Sequence, residues 1–134
     1  YNLFNREPEE EGILRQAKEN GTGFIAFSPL AQGLLTNRYL NGIPDDSRIA
    51  KGGFLKKEAL TDEVLKKIKA LNELAIRRGQ TLAEMALAWI LKDDLVTSVI
   101  IGASSVGQLA DNLKAIDNTA FSAEELKNIY QIVK

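Results

Sequence analysis

The spacing of hydrophobic positions predicts most of the helices in this chain. After Pro8, a run of glutamates precedes apolar positions on one side of a helical pattern, which predicts a helix over 8–19. Between Thr61 and Gly79 the apolar positions recur every three or four residues, the period of an amphipathic helix. We expect Thr61 to cap this helix and Gly79 to end it.

Two Ser/Thr-x-x-Glu patterns, beginning at Thr81 and Ser122, predict two more helix starts. The helix after Thr81 is apolar on nearly every side, so we expect other elements to cover it. A further helix follows Ser104 or Ser105, either of which suits its N-cap. The apolar positions of that helix are Val106, Leu109, Leu113 and Ile116. The positions expected to face inward from the last helix are Leu126, Ile129, Tyr130 and Val133.

Two short apolar runs, 22–27 and 97–101, predict strands. Neither run alternates polar and apolar residues, which is typical of parallel strands covered on both faces. Strands that alternate with helices favour an α/β fold with a parallel sheet. Because two strands alone form a marginal sheet, we expect partner strands outside this sequence. We therefore interpret residues 1–134, which begin at Tyr1, as a piece of a longer protein.

Composition narrows the classes of function. The chain has 134 residues, enough for one domain, with 17 basic and 18 acidic side chains and a formal charge of -1. This balance gives no electrostatic reason to expect nucleic acid or an anionic membrane as a partner. The sequence contains no Cys and no His, which excludes disulfides, Cys-ligated zinc and a Ser-His-Asp triad within this chain. No apolar run approaches the roughly 20 residues of a membrane span, so we predict no membrane insertion.

The strongest candidate for chemistry is the segment where the second predicted strand ends. Gly102 turns the chain, two serines follow, and a helix begins. A helix N-terminus offers unpaired amide donors and a partial positive charge, which suits a phosphate group. The polar residues on the first turns of that helix are Gln108, Asp111 and Asn112. The alternative is a serine N-cap with no ligand, and the residues by themselves leave both interpretations open.

Other segments carry weaker signals. A hydroxyl and a glycine within 27–33 suit the wall of a nucleotide pocket, although a plain turn after a buried strand is the favoured interpretation. Residues 41–54 predict a long loop, and loops of this length are usually functional. Arg48 in this loop suits a phosphate clamp, although a solvated charged loop is the favoured interpretation. The acidic stretches 7–11 and 93–94 lack the spacing of a calcium loop, so we interpret them as solvated helix ends.

In combination these segments resemble the aldo-keto reductases, in particular the branch similar to bacterial glyceraldehyde-phosphate reductases and potassium-channel beta subunits. The residues that carry the resemblance are Ala26-Phe27-Ser28-Pro29-Leu30-Ala31-Gln32-Gly33-Leu34-Leu35-Thr36, Arg38-Tyr39-Leu40, Ser47-Arg48, Ile100-Ile101-Gly102-Ala103-Ser104-Ser105, Gln108-Leu109 and Asp111-Asn112. The resemblance implies a (β/α)8 barrel, which typically needs about 250 residues. It places the runs 22–27 and 97–101 as the seventh and eighth barrel strands. Residues 1–134 are then the C-terminal portion of a single barrel domain whose N-terminal portion is absent.

The resemblance also implies hydride transfer from NADPH to the carbonyl of a small-molecule aldehyde or ketone, with NADP preferred over NAD. The implied cofactor-binding residues are Phe27, Ser28, Leu30, Gln32, Gly33, Arg48, Gly102, Ser104, Gln108, Asp111 and Asn112. Phe27 would stack on the nicotinamide, residues within 28–33 would line the pyrophosphate, and Arg48 would hold a phosphate or the adenosine end. Residues within 102–108 would lie near the ribose 2′-phosphate, with 111–112 at the adenine.

The family's catalytic Asp, Tyr, Lys and His belong to the first half of its barrel, so the resemblance assigns no catalytic residue here. We therefore expect this chain alone to be inactive. Two alternatives stay open: a cofactor-sensing regulatory subunit, as the channel beta subunits are, and an autonomous domain without a cofactor. We expect a cytoplasmic protein whose open sheet edges favour self-association, including a homo-oligomer. We also expect much of 41–58 to be poorly ordered, because its proposed ligand would organise it.

Overall fold

The computed structural model of the protein describes residues 1–45, 47, 49–50, 52 and 57–134. Within these residues lie six α-helices and one pair of short strands. The assignment of Arg48 lies outside the described residues, and the expectation about order in 41–58 lies partly outside them. In the described part of the chain, no helix has the length and apolar character needed to cross a bilayer.

A parallel pair of strands forms the sheet. Strand β1 (Ile25–Ala26) pairs with strand β2 (Ser98–Val99), and the amide of Ile100 extends the pairing by donating to the Ala26 carbonyl at 2.8 Å. The parallel direction confirms the sequence prediction. The predicted bounds of 22–27 and 97–101 are wrong, because the regular pairing covers only two residues of each strand.

Within the described residues only one face of these strands is covered, and the sequence prediction places further partners outside this chain. Ala26 is buried, whereas Ile25, Phe27 and Ile100 are 57%, 68% and 60% exposed. Successive strand residues point to opposite faces. The described residues therefore cover one face of the strand pair and leave the other face accessible.

The helix predicted over 8–19 is interrupted. Helix α1 (Glu7–Glu10) and helix α2 (Ile13–Glu19) are separated at Gly12, whose φ of 76° lies in the left-handed region. Glycine adopts this conformation at little steric cost, so the chain turns between the two helices. The acidic residues of α1 still lie in its first turn, where the helix dipole favours them.

The segment after β1 forms two short 3-10 helices, Ala31–Gly33 and Asn37–Tyr39. Thr36 caps the second, because its Oγ1 accepts a hydrogen bond from the Arg38 amide at 3.2 Å. The side chain of Tyr39 is buried in the hydrophobic core. These turns anchor the segment after β1 to the core.

Helix α3 (Asp62–Arg77) begins and ends where the sequence predicts. Thr61 caps it by accepting from the Val64 amide at 3.2 Å, and Gly79, with a φ of 68°, ends it. The residues that α3 buries in the core are Ile68, Leu71, Leu74 and Ala75.

Helix α4 (Leu82–Ile90) lies at the centre of the core. The Thr81–Glu84 capping box is confirmed, with the Glu84 amide donating to Thr81 Oγ1 at 3.2 Å and the Thr81 amide donating to Glu84 Oε2 at 3.0 Å. Every α4 residue except Ala83 is buried. The expectation of a helix covered on nearly all sides is therefore confirmed.

Helix α5 (Val106–Leu113) is capped by Ser105, whose Oγ accepts from the Gln108 amide at 3.1 Å. Its apolar positions are accessible in the structure, with Val106 85% exposed. These positions pack against no described element closely enough to bury them, unlike the apolar face of α3.

Helix α6 (Ala123–Val133) begins at the predicted Ser122–Glu125 capping box. Ile129 is buried as expected, but the expectation that Tyr130 faces inward is wrong, because 46% of Tyr130 is exposed. The guanidinium of Arg6 lies 4.7 Å from the Tyr130 ring centroid, so a cation–π contact replaces burial at this position.

Arg78 joins the end of α3 to the start of α6. Its Nη1 donates to Glu125 Oε1 at 2.7 Å, its Nη2 donates to the Ala120 carbonyl at 2.9 Å, and its guanidinium lies 3.7 Å from the Phe121 ring centroid. Its Nε donates to Gln80 Oε1 at 2.9 Å. Only 4% of the Arg78 side chain is exposed, so solvent screens these interactions little.

Glu125 is charged in this network. Partial burial disfavours its ionised form, but the Ser122 amide and the Arg78 guanidinium outweigh that effect and hold the pKa of Glu125 below its usual value. One carboxylate therefore serves both the α6 capping box and the ion pair that fixes α6 against α3.

We expect Arg78→Lys to lower the free energy of unfolding by about 2 kcal/mol, because an ammonium group cannot reproduce the planar set of hydrogen bonds around Arg78. Urea unfolding followed by circular dichroism measures this change. The matched control is Arg77→Lys at the exposed neighbouring position, which should change stability by less than about 0.5 kcal/mol. Equal effects of the two substitutions would show that the Arg78 network contributes nothing specific.

Candidate functional site

A cleft of about 1070 Å³ lies at the carboxyl ends of β1 and β2. Loops that follow neighbouring parallel strands meet at the same edge of a sheet, which is where ligand sites of α/β proteins are found. The residues that line the cleft are Ser28, Pro29, Leu30, Gln32, Gly33, Thr36, Asn37, Arg38, Tyr39, Thr81, Ala83, Ile100, Ile101, Gly102, Ala103, Ser104, Gly107, Gln108, Asp111 and Asn112.

The segment after β1 forms one wall of the cleft in a strained backbone conformation. Ser28, Ala31 and Gln32 have φ values of 52°, 47° and 57°, in the left-handed region that side chains other than glycine rarely adopt. Asn2 Nδ2 donates to the Ser28 carbonyl at 2.9 Å and holds the start of the segment. Residues in such conformations cluster at ligand sites, where the surrounding fold imposes them.

The segment after β2 forms the opposite wall and leads into α5. The Ser104 amide and hydroxyl donate to Gln108 Oε1 at 2.7 Å and 3.0 Å. Ser105 caps the helix, and Gly102 lies in the turn before it. An added Cβ at Gly102 would meet nothing within 4 Å, so a ligand has room to approach this backbone closely.

Asn112 is the most informative side chain of the cleft. It is buried, with 6% of its surface exposed, and its Nδ2 has no hydrogen-bond partner among the described residues. A buried amide donor without a partner costs about 1–3 kcal/mol, so such groups usually meet a ligand or water. The neighbouring Asp111 accepts from Lys114 Nζ at 2.8 Å, and this contact raises the pKa of Lys114 above its ordinary value.

The structure brings most of the predicted site residues together in this one cleft. Those that line it are Ser28, Leu30, Gln32, Gly33, Gly102, Ser104, Gln108, Asp111 and Asn112. Phe27 is not among the lining residues, and its ring is largely exposed beyond β1. Arg48 lies outside the described residues. The cofactor-binding roles of these residues remain a prediction at this point.

Sequence reasoning missed several residues that reach the cleft from other elements. Arg38 and Tyr39 come from the second 3-10 helix after β1, and Thr81 and Ala83 come from the start of α4. Arg38 and Tyr39 stand in the stretch that carries the family resemblance and could have been found there. Thr81 and Ala83 were recognisable only as the start of a helix. The neighbouring sequence does not indicate that this helix start packs beside the strand ends.

The cleft presents backbone amides, carboxamides and hydroxyls, together with the side chain of Arg38. This set of groups binds the oxygen atoms and heterocyclic nitrogens of a polar, elongated ligand. Within the described ranges, no group of three or more acidic or other metal-ligating side chains is placed to hold a metal ion. The polar groups of the cleft thus suit an organic ligand with an anionic end.

A model of the aldo/keto reductase family matches residues 1–134, and the chain belongs to this family. Among curated proteins it is 51% identical over 135 residues to an L-glyceraldehyde 3-phosphate reductase of Escherichia coli O157:H7, covering 98% of this chain and 39% of that protein. It is 41% identical over 120 residues to a probable voltage-gated potassium channel subunit beta of Arabidopsis thaliana, covering 87% of this chain and 37% of that protein.

Solved structures also match this chain over about 40% of their own length. The glycerol dehydrogenase from Gluconobacter oxydans aligns with a TM-score of 0.78 at 26% identity, covering 99% of this chain and 40% of that one. The holo form of an aldo-keto reductase from Bacillus halodurans aligns with a TM-score of 0.73 at 29% identity, covering 100% of this chain and 41% of that one. The α/β layers described here thus correspond to part of a (β/α)8 barrel.

We expect Gln32→Gly to raise the free energy of unfolding by about 1 kcal/mol, because glycine adopts the left-handed conformation of this position without steric cost. Chemical unfolding measures the change. The control is Gln16→Gly within α2, where glycine should lower stability by about 1 kcal/mol. A loss of stability at both positions would mean that Gln32 stores no backbone strain.

Proposed function

We propose that the protein to which this chain belongs is an NADP-dependent oxidoreductase that reduces aldehydes or ketones to alcohols. Enzymes of this family generally use a nicotinamide cofactor, and that cofactor, when bound, supplies the hydride. The observation that carries the proposal is the buried Asn112 in the last turn of α5, whose Nδ2 has no partner among the described residues. A carboxamide at this place suits the N6 and N7 edge of adenine.

The dimensions and chemistry of the cleft suit a dinucleotide. Its volume of about 1070 Å³ lies slightly above the roughly 300–1,000 Å³ typical of small-molecule pockets. The residues proposed to line the pyrophosphate are Ser28, Leu30, Gln32 and Gly33, on the strained segment after β1. Gly102, Ser104 and Gln108 are proposed to lie near the ribose 2′-phosphate, with Asp111 and Asn112 at the adenine.

Two of the proposed cofactor residues are not among the described residues that line the cleft. Phe27 follows β1 directly and exposes its ring, which leaves a flat face for stacking on the nicotinamide. Arg48 lies outside the described residues, and its proposed role rests on the family resemblance. We propose NADP rather than NAD on the ground of the family resemblance, and no Lys or Arg occurs within 102–112.

We further propose that β1 and β2 are the seventh and eighth strands of one barrel, of which residues 1–134 are the C-terminal portion. The open face at Ile25 and Ile100 supports this, because barrel strands normally have neighbours and a filled interior. The chain spans about 39% of the length of the curated relatives that it matches at about half identity. The Asp, Tyr, Lys and His that catalyse the reaction then come from the rest of the barrel.

The names of the relatives support a proposal for the substrate class. The reductase of Escherichia coli that matches at 51% identity is named for L-glyceraldehyde 3-phosphate, and we propose a small or sugar-derived carbonyl compound as substrate. We propose a cytoplasmic protein, with self-association into a homo-oligomer as one possible assembly of the chain.

A second candidate function is supported by the match to plant potassium-channel beta subunits at 41% identity. In that case the nucleotide site senses the cofactor and the protein acts as a regulatory subunit, with catalysis secondary. Both candidate functions use the nucleotide site in the cleft, and they differ in the rate at which the protein reduces carbonyl compounds.

We expect Asn112→Leu to weaken NADPH binding about tenfold, because leucine fills the volume but donates no hydrogen bond. The same substitution should raise the free energy of unfolding by about 1 kcal/mol, since it removes a buried donor that lacks a partner. Fluorescence titration and urea unfolding measure the two effects. The control is Asn128→Leu on α6, away from the cleft, which should leave NADPH affinity unchanged.

Opposite signs for affinity and stability separate a ligand-binding role of Asn112 from a structural one. If Asn112→Leu lowers both together, Asn112 acts by supporting the fold. If NADPH does not bind the unsubstituted protein, the proposed function is wrong.

We expect carbonyl-dependent oxidation of NADPH by the full-length protein and none by the 134-residue chain, because this chain contains no His and cannot assemble the catalytic set. Loss of NADPH absorbance with a panel of short aldehydes measures turnover. Oxidation by the chain alone would contradict the assignment of catalysis to the rest of the barrel. Negligible turnover by the full-length protein, together with its capture by a channel subunit, would favour the regulatory function.

A further inference from the structure

The dipeptide Asn-Gly occurs twice in this chain, at 20–21 and at 41–42. An asparagine before glycine is prone to lose its side-chain amide, because glycine has no Cβ to hinder the approach of its backbone nitrogen to the asparagine side chain. Both pairs are exposed, and an added Cβ at Gly21 or at Gly42 would meet no described atom within 4 Å. Access to solvent therefore does not distinguish the two pairs, whereas their hydrogen bonds do.

The first Asn-Gly pair is held by hydrogen bonds at the end of helix α2. Asn20 Nδ2 donates to the Gln16 carbonyl at 2.8 Å, and the Gly21 amide donates to the Lys18 carbonyl at 2.9 Å. The carboxamide of Asn20 is thus directed back along the helix, and the proton of the Gly21 amide is engaged. Any reaction between the two groups must first break both hydrogen bonds, which requires local unwinding of the end of α2.

The second Asn-Gly pair follows the 3-10 helix Asn37–Tyr39 and is held more weakly. The Gly42 amide donates to the Tyr39 carbonyl at 3.4 Å, which is longer than the roughly 2.7–3.2 Å of a well-formed N–H···O hydrogen bond. Among the described residues, the Asn41 side chain makes no hydrogen bond. The Asn41 carboxamide and the Gly42 nitrogen can therefore approach each other without unwinding a helix.

The chemistry available to this pair needs only water. After loss of its proton, the backbone nitrogen of Gly42 attacks Cγ of Asn41, a bond from this nitrogen to Cγ forms, and the bond from Cγ to Nδ2 breaks as ammonia leaves. Water then opens the five-membered cyclic imide. Attack of water on the side-chain carbonyl gives aspartate, and attack on the main-chain carbonyl gives isoaspartate. The net reaction exchanges one amide for one carboxylate, with water consumed and ammonia released, and involves no oxidation.

We propose that Asn41 is a site of spontaneous deamidation, at which the folded protein converts asparagine to aspartate or isoaspartate while the fold protects Asn20 in the same dipeptide. The product adds one negative charge to a chain whose formal charge is -1. It adds this charge two residues after Tyr39, which lines the cleft. The inference rests on the local backbone and is independent of the proposed function.

The test is a peptide map of the folded protein after storage at mildly alkaline pH. Cleavage by trypsin after Lys and Arg places Asn20 in the peptide 19–38 and Asn41 in the peptide 39–48. Mass spectrometry with fragmentation assigns each lost amide to its residue, and chromatography separates the isoaspartyl from the aspartyl peptide. We expect Asn41 to react about tenfold faster than Asn20, because only Asn20 must first break two well-formed hydrogen bonds.

The unfolded protein is the matched control. In guanidinium chloride both pairs lose their hydrogen bonds, so the two rates should agree within about twofold. Asn41→Gln should abolish the reaction in the peptide 39–48 and leave Asn20 unchanged, because the longer side chain would have to close a six-membered ring. Hydrogen exchange supplies a second measurement, in which the Gly42 amide should exchange faster than the Gly21 amide.

The outcomes separate the effect of the fold from that of the dipeptide sequence. Faster reaction of Asn41 in the folded protein, with similar rates in guanidinium chloride, supports the inference. Equal rates in the folded protein, or a faster reaction of Asn20, overturn it. A difference that persists unchanged in guanidinium chloride also overturns it, because the flanking sequence and not the fold then sets the rates. None of these results bears on whether the cleft binds NADPH.

Discussion

The parallel pairing of β1 with β2 is the constraint on which the cleft depends. The Phe24 amide donates to Thr97 Oγ1 at 3.1 Å across a separation of 73 residues, and the Ile100 amide donates to the Ala26 carbonyl at 2.8 Å. Closing so long a segment costs chain entropy that few hydrogen bonds can offset. The compensation comes from α3 and α4, which lie within that segment and bury its apolar residues. Packing of these helices thus holds two strand ends side by side, and the loops that leave those ends form the walls of the site.

Features set by neighbouring residues could be predicted from the sequence. Thr61, Thr81 and Ser122 cap their helices as expected, because a cap needs only a hydroxyl and an amide three residues later. Features set by distant neighbours could not. The lengths of β1 and β2 depend on the strands that pair with them. The ring of Tyr130 packs against the guanidinium of Arg6 and is not buried in the core. The sequence shows a glycine at position 12. Only the structure shows that its backbone is left-handed and that the chain turns there between α1 and α2.

The candidate site likewise combines features set by neighbouring residues, which the sequence predicts, with features set by distant ones, which it does not. Its two strand-end segments were recognisable, because a strand followed by small and hydroxyl residues predicts a turn that a ligand can approach. Judged from the residues alone, a plain N-cap and a plain turn were at least as good an interpretation of each. The structure adds their juxtaposition in one cleft, together with Thr81 from an element that carried no site signal. The buried state of Asn112 was also beyond the sequence, since the same residue on an exposed helix face would simply be hydrated.

The observed walls of the cleft share a physical property that relates binding to stability. Ser28 and Gln32 hold left-handed backbone conformations, and the Asn112 amide is buried without a partner among the described residues. Each of these features costs folding free energy. A ligand that supplied an acceptor to Asn112 would recover part of that cost only when bound. Such a site gains affinity from preorganisation, because its groups are fixed before the ligand arrives. Burial of nearly all of α4 in the core stabilises the fold and offsets the free energy that these groups cost.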